Sequence, residues 1–167
     1  WTLMLIDGSE LNTPQEKEKW GLKTKFRVIP RDFTKLTDGK VVVEIEEVGI
    51  GSNTLSFDEY MELRLFALIL RVTKSGTIFE PILKFLRENN FSVFNFLHEI
   101  FQNTHLASTN LQKLFTQFRD NTIGELWDSP EEIEKNYQDD VQYQKLLDEK
   151  EGQNLIYYYH ALVISNH

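Results

Sequence analysis

Two arginines close to a proline are the residues whose type and spacing best suit the binding of an anion. Arg27 and Arg31 lie on either side of Pro30, and Lys23 and Lys25 precede them in an otherwise acidic chain. Guanidinium groups bind carboxylates and phosphates through paired hydrogen bonds. The segment therefore suggests that Arg27 and Arg31 face a substrate carrying one of these groups. The default alternative is that they pair with glutamates of a neighbouring strand.

Arg64 is the third candidate substrate-facing residue. It lies between Leu63 and Leu65 in the most apolar helical segment of the chain. A partly buried guanidinium needs an anionic partner, because an unpaired charge is costly to bury. We predict that Arg64 forms a salt bridge with one of three glutamates in a predicted strand, which are Glu44, Glu46 and Glu47.

The same three glutamates are the best candidates for a metal site or an acid–base pair. Side chains alternate between the two faces of a strand, so Glu44 and Glu46 share one face and Glu47 points to the other. The three carboxylates therefore do not converge locally. A solvated strand face is the favoured interpretation.

The histidines and the glycine turns offer no better site. The four histidines are His98, His105, His160 and His167. No two of them have the i, i+4 spacing of a helical metal site. The favoured role of His160 is that of a core or interface residue. The glycine segments at residues 7–9 and 49–52 lack the phosphate-loop and nucleophile-elbow patterns, which indicates plain turns. We predict no catalytic, cofactor-binding or metal-ligating residue.

Composition limits the class of protein. The formal net charge of −8 argues against general binding of nucleic acid, which needs clustered basic residues. No run of about 18 apolar residues predicts a membrane span. The chain has no cysteine, which excludes thiolate metal sites and disulfides and fits a cytoplasmic location.

The first part of the chain has the patterns of strands. We predict strands at residues 3–6, 23–30 and 41–48, the second ended by Pro30, and the last two form a hairpin around the turn at Asp38-Gly39. A short helix capped by Thr13 precedes them and ends at Gly21.

Helical patterns dominate from residue 55 onward. Predicted helices begin after Ser56, Thr77, Ser92 and Ser129, and another begins near Ser108 or Thr109. Two more cover residues 140–150 and 155–164. The last segment also fits a strand by propensity, but helix is favoured. Leu65, Leu68 and Ile69 should be among the most buried residues of a central helix at 57–72.

These elements predict an α+β fold that is mostly α. Residues 1–52 form a strand-rich part, and residues 53–167 form a domain of six or seven helices. The apolar run at residues 1–6 has no polar lead-in, so we expect it to be a strand of a longer protein.

Three segments resemble a known family. Residues 2–11 (Thr-Leu-Met-Leu-Ile-Asp-Gly-Ser-Glu-Leu) are similar to the Leu-Met-Leu-Leu-Pro-Gly-Thr-Glu-Leu stretch that ends the catalytic barrel of cobalamin-binding radical S-adenosylmethionine enzymes, with Asp7 in the place of proline. Residues 22–31 resemble the family's Thr-x-Phe/Tyr-Arg-x-x-Pro-Arg segment. Residues 44–48 and 53–60 continue the similarity, which is looser in the helical part.

The resemblance implies a modular parent enzyme with a cobalamin domain, a partial (β/α) barrel that holds an iron–sulfur cluster, and a helical C-terminal extension. The family's three-cysteine cluster motif and its cobalamin-binding Asp-x-His-x-x-Gly motif are both missing from this chain. The parent is expected to use an iron–sulfur cluster, S-adenosylmethionine and cobalamin, and this part would hold none of them. Its implied role is to close the barrel and shape the substrate pocket.

Three functional hypotheses follow. The first is a non-catalytic C-terminal part of such an Fe–S oxidoreductase or methyltransferase, whose partner is the rest of the parent polypeptide and whose exposed first strand invites a homodimer. The second is a helical protein-interaction module that presents an aromatic face around Phe94, Phe96 and Phe101. A stand-alone acid–base enzyme is the least favoured hypothesis, because no paired-carboxylate or histidine constellation passes the spacing test.

Overall fold

A three-stranded antiparallel sheet and a set of short helices make up the computed structural model, which describes residues 3–75 and 77–166. Eight α-helices lie in this described part, and seven of them begin after residue 53. The α+β class, the N-terminal strands and the helical remainder are therefore confirmed. Trp1, Thr2, Gly76 and His167 lie outside the described residues.

The sheet has the order β1-β3-β2, where β1 is Leu3–Leu5, β2 is Lys23–Lys35 and β3 is Val41–Gly51. β2 and β3 form the predicted hairpin, and β1 pairs with the far edge of β3. The turn between β2 and β3 uses Gly39 at a φ of 88°, and the Asp38 carboxylate accepts a hydrogen bond from the Lys40 amide. Only glycine adopts this backbone conformation without strain, so the turn residues select the hairpin.

Strand β2 continues past Pro30, so the prediction that proline ends the strand is wrong. The pairing register shifts between Val28 and Phe33, and Arg31 takes a left-handed φ of 66° within that interval. Residues 29–32 of β2 thus stand against the single residue Glu44 of β3, and this wide bulge takes Pro30, which has no N–H, out of the ladder before the pairing resumes. Residues Phe33 to Lys35 then pair with the first part of β3.

One helix of the described residues lies between β1 and β2, and the other seven follow β3. Helix α1 is Pro14–Trp20, before β2, and the remaining seven are α2 (Phe57–Lys74), α3 (Glu80–Glu88), α4 (Val93–Gln102), α5 (Thr109–Gly124), α6 (Pro130–Tyr137), α7 (Asp140–Leu147) and α8 (Leu155–Asn166). Short 3-10 turns lie at Glu10–Asn12 and Thr104–Leu106. The favoured helix at the C-terminal segment is confirmed as α8.

Most of the predicted helix caps are confirmed. The side chains of Thr13, Ser92 and Ser129 each accept a hydrogen bond from the amide three residues later. Ser56 and Glu59 form a reciprocal capping box at the start of α2. The start predicted at Thr77 is wrong, because α3 begins at Glu80, and its N-cap residue makes no side-chain cap.

The described chain divides into two compact units that interleave along the sequence. Unit 1 contains the described residues of Trp1–Tyr60 and Thr122–Asn154, and unit 2 those of Met61–Asn121 and Leu155–His167. The boundary predicted between residues 52 and 53 stays a prediction.

Unit 1 has a core between the hairpin and the helices that follow residue 130. Val28, Val41 and Val43 of the hairpin pack with residues of α6 and α7, which are Ile133, Tyr137 and Leu146. Val41 and Val43 are two residues apart on β3 and so share one face of that strand, and Val28 lies opposite Ile45, two residues further on. One face of the sheet therefore supplies an apolar surface for these helices.

Unit 2 is built around α2. Leu68 is fully buried and Ile69 is 4% exposed, as predicted, whereas Leu65 is only partly buried. Leu68 packs with Val72, Phe118 of α5 and two residues of α8 one turn apart, Leu155 and Tyr159. This spacing explains why an apolar C-terminal segment forms a helix rather than a strand.

Candidate functional site

Arg27 lies in a buried ion triad in unit 1. It stands on β2 directly opposite Glu46 on β3, and its Nε donates to Glu46 Oε1 across 2.6 Å. Its Nη1 donates to Oε1 of Glu125 across 2.9 Å. The three side chains are 15%, 8% and 16% exposed, respectively, so this is a largely desolvated group of one cation and two anions.

The electrostatic balance of the triad keeps Arg27 charged. Burial alone would lower the pKa of the guanidinium, but the carboxylates of Glu125 and Glu46 outweigh it, and the pKa lies above its ordinary value. Two carboxylates already occupy Nε and Nη1 of Arg27. The triad therefore ties β2, β3 and the chain after α5 together, which is the internal pairing that the sequence left as the default for Arg27.

Arg31 lies outside this triad. At the bulge of β2 its Nη2 is 3.1 Å from Oε1 of Glu149, and both side chains are largely exposed. The partner of Arg31 in this ion pair is therefore a residue that follows α7, and not one of the glutamates of β3 that the sequence suggested. Arg27 in its triad and Arg31 in its ion pair thus share no partner, and the structure does not bring the two arginines together.

Arg64 is a residue of unit 2. It is 5% exposed, and its guanidinium carbon lies 5.8 Å from the centroid of the Phe118 ring. This arginine is more deeply buried than the partly buried position predicted for it, and the aromatic ring supplies part of its environment. Its salt bridge with the glutamates of β3 stays a prediction, as does a substrate-facing role for all three arginines.

The three glutamates of β3 have different environments. Glu44 is exposed, Glu46 is buried in the triad, and Glu47 accepts a hydrogen bond from Lys17 Nζ across 2.7 Å. The interpretation of Glu44 and Glu46 as one solvated face is wrong for Glu46, because that face becomes covered toward the end of β3, where Val48 and Ile50 are buried. Across residues 3–75 and 77–166, no group of three or more His, Cys, Asp or Glu side chains could hold a metal ion.

A second buried polar group in unit 1 escaped sequence analysis. The Tyr137 hydroxyl donates to Oε2 of Glu151 across 2.9 Å, and Lys145 donates to the other oxygen of the same carboxylate across 3.1 Å. Burial and the Glu151 carboxylate raise the pKa of Tyr137, so the phenol remains protonated and acts as a donor. The spacing of Ile133 and Tyr137 on one face of α6 was the available signal, but nothing local indicated the carboxylate.

An aromatic cluster occupies one side of unit 2. Phe94 stacks on His98 of the same helix at 5.8 Å, and Phe66 of α2 contacts both rings edge-on. Phe101 completes the cluster at 5.4 Å from Phe66. Of the residues predicted to form an interaction face, Phe94 is 61% exposed, whereas Phe96 and Phe101 are partly buried.

Comparison with known proteins does not assign the chain to a family. No protein-family model matches it, and no curated protein is significantly similar to it.

No helix in the described part of the chain is both long enough and apolar enough to cross a membrane.

Proposed function

We propose that the chain is the C-terminal, non-catalytic part of a cobalamin-dependent radical S-adenosylmethionine enzyme of the Fe–S oxidoreductase or methyltransferase type. In this role it closes the open side of the parent's catalytic barrel and shapes the substrate pocket. The resemblance of residues 2–11 and 22–31 to the family's segments supports the proposal.

The observation that carries the proposal is the difference between the two edges of the sheet. At the β2 edge, the amide and carbonyl of Phe26 form two hydrogen bonds with Trp127, across 2.9 and 2.8 Å. At the other edge, Leu3–Leu5 pairs with β3 alone within the described residues. The β2 edge is thus partly covered by the chain itself, whereas within residues 3–75 and 77–166 no strand pairs with the outer edge of β1.

The side chains of β1 suit a covered position rather than a solvated one. Leu3 and Met4 are 46% and 49% exposed, and Ile6, just beyond the strand, is 65% exposed. An exposed edge strand with apolar side chains favours the addition of a further strand. The added strand forms backbone hydrogen bonds with the edge and buries its side chains. A strand of the parent's barrel is the partner that the resemblance implies.

The cofactors of the parent do not fit this chain. A radical S-adenosylmethionine cluster is held by thiolates, and the chain has no cysteine. The cluster, S-adenosylmethionine and cobalamin would therefore be bound by the rest of the parent. The contribution of this chain is to exclude water and to line the pocket, and Arg27, Arg31 and Arg64 are its candidate substrate-facing residues.

The coding sequence upstream of residue 1 tests the proposal. A reading frame that continues upstream and encodes a Cys-x-x-x-Cys-x-x-Cys loop is the expected result. A frame that opens at or just before residue 1, or an upstream region without the three cysteines, would contradict it.

One observation favours the interaction module as a second candidate. Phe85, Phe91 and Phe94 are 57%, 61% and 61% exposed and lie within ten residues of one another on α3, α4 and their connection. Contiguous exposed apolar patches commonly mark protein contacts, and the nearness of these three residues in the sequence favours such a patch. If the chain is a helical protein-interaction module, triple substitution of these residues by serine should abolish binding to its partner protein. The same substitution should leave binding to the parent's barrel unchanged if β1 carries the contact.

A further inference from the structure

Arg71 near the end of α2 has an environment unlike that of the other arginines with known partners. Arg27, Arg31 and Arg87 each pair with a carboxylate. Arg71 forms no salt bridge with any side chain of residues 3–75 and 77–166, and its Nε is enclosed without a hydrogen-bond partner. In a chain of net charge −8, an arginine without a carboxylate partner calls for an explanation.

A tyrosine holds the guanidinium of Arg71 in place. Its central carbon lies 4.1 Å from the centroid of the Tyr157 ring, at the start of α8. Stacking uses the face of the guanidinium plane, whereas hydrogen bonds to oxyanions use its edge, so one arginine can make both interactions. Since Nε is enclosed, the Nη end is the edge that remains for a ligand.

The surroundings make this end accessible and positive. Arg71 is itself partly exposed, and Tyr157 is 55% exposed. Lys74 stands three residues after Arg71, on the same side of α2, and is exposed. Like Arg71, it forms no salt bridge within the described residues. Acidic residues outnumber basic ones strongly in unit 1 but not in unit 2.

The negative end of the α2 dipole is a simpler reason for basic residues in its last turn. That interaction typically stabilises a helix by about 0.3–1 kcal/mol when the charge is exposed. It needs no stacking and no enclosed Nε, because a solvated lysine achieves the same effect. The dipole therefore accounts for Lys74 but leaves the fixed, partly desolvated guanidinium of Arg71 unexplained.

We propose that Arg71, Lys74 and Tyr157 form a binding site for an oxyanion, either a phosphate or a carboxylate group of a ligand. The Nη end of Arg71 donates to two oxygens of the ligand, Tyr157 fixes the guanidinium plane, and Lys74 adds a second positive charge. Partial burial strengthens the charge-assisted hydrogen bonds relative to those of a solvated arginine. The site is independent of the parent enzyme proposed above.

Titration of the whole 167-residue chain with inorganic phosphate and, separately, with acetate tests the site. The arginine Nε–H resonances are followed by NMR at constant ionic strength, and the Arg71 signal is assigned by its loss in Arg71→Gln. We expect this signal to shift saturably with at least one ion. Saturation by phosphate alone identifies a phosphate site, by acetate alone a carboxylate site, and by both a general oxyanion site.

Variants separate the site from general electrostatic attraction. Arg71→Gln has lost the Arg71 side-chain signal, so binding to the wild type and to every variant is compared through the backbone amide resonance of Lys74. Arg71→Gln should weaken binding by about tenfold, the effect of losing charge-assisted hydrogen bonds. Arg87→Gln is the matched control, because its guanidinium already pairs with Glu80, and it should leave binding within about twofold of wild type. If circular dichroism shows that Arg71→Gln is unfolded, Arg71→Lys and Tyr157→Leu replace it and should also weaken binding. The proposal is overturned if neither ion gives saturation, or if Arg87→Gln weakens binding as much as the Arg71 variants.

Discussion

The Nε of Arg27 donates to Oε1 of Glu46 across 2.6 Å, at two positions that face each other directly on β2 and β3. Glu125, 98 residues after Arg27, accepts a second hydrogen bond from the same guanidinium. Each charge is desolvated and depends on the others, because an unpaired ion is costly in such a setting. The three residues thus link the pairing register of β2 and β3 to the position of the chain after α5.

Substitution of Glu46 by glutamine should lower the free energy of unfolding by about 2 kcal/mol. The change removes a charged hydrogen-bond partner from buried Arg27, and Glu125 compensates only in part. Urea unfolding followed by circular dichroism measures it. Glu44→Gln is the control, two residues away on the same strand but exposed, and should stay within about 0.5 kcal/mol of wild type. Equal losses in both variants would show that the triad contributes nothing specific.

Substitution of Leu68 by alanine should lower the free energy of unfolding by about 2–5 kcal/mol, because it leaves a cavity at a fully buried site of unit 2. Leu63, on the same helix but 54% exposed, is the matched control, and Leu63→Ala should cost less than about 0.5 kcal/mol. Thermal and urea unfolding measure both. A Leu68→Ala protein as stable as wild type would rule out the central position of α2 in this core.

The phenol of Tyr159 should make stability fall at alkaline pH. Burial, with smaller contributions from Tyr158 and Asp120, raises the pKa of Tyr159 to about 12, above the ordinary value of about 10. The folded state keeps its proton while the unfolded state loses it, so this stabilisation is complete below pH about 10 and is lost as the pH rises toward 12.

Ultraviolet titration of tyrosinate and urea unfolding between pH about 9 and about 12, from one unit below the ordinary pKa up to the raised one, check this. Tyr159→Phe should remove one late-ionising phenol and make the alkaline loss of stability less steep. Tyr137→Phe is the comparison, because burial and Glu151 raise the pKa of that phenol as well. An unchanged absorbance titration in Tyr159→Phe would contradict the assignment.

The open edge of β1 should promote self-association of the isolated chain. Exposed Leu3 and Met4 would be buried when two copies pair through this edge. Sedimentation equilibrium should detect a dimer at high concentration, and Met4→Lys should weaken it by tenfold or more, since a charge would be buried on association (about 1.4 kcal/mol per tenfold). Leu36→Lys, which changes an exposed leucine just after β2, should leave the dimer intact. A wild-type chain that stays monomeric, or equal effects of both substitutions, would contradict pairing through β1.

Local chemistry explains which elements could be predicted from sequence. Thr13, Ser92 and Ser129 cap their helices through amides only three residues away, so the signal and its structural result lie in the same short segment. The hairpin could be predicted from local evidence of the same kind. Gly39, which tolerates a positive φ, lies between two segments of alternating polarity.

Partners distant in sequence explain what could not be predicted. The pattern of β3 showed Glu46 as one of two glutamates on a polar face, but its burial depends on Arg27 and on tertiary covering of that face. The bulge around Pro30 likewise depends on the pairing of Phe33 to Lys35 with β3, which the local sequence around the proline does not show. The carboxylate of Glu151 reaches Tyr137 only through the fold of α6, α7 and the following turn.

Anaerobic reconstitution of an iron–sulfur cluster tests the central proposal most directly. The polypeptide encoded by the whole reading frame and the 167-residue chain alone are incubated with iron and sulfide, and bound iron is measured after desalting. The proposal predicts about four iron atoms per full-length polypeptide, as in a [4Fe–4S] cluster, and none on the isolated chain. A full-length polypeptide that binds no iron, or a reading frame no longer than this chain, would contradict the account.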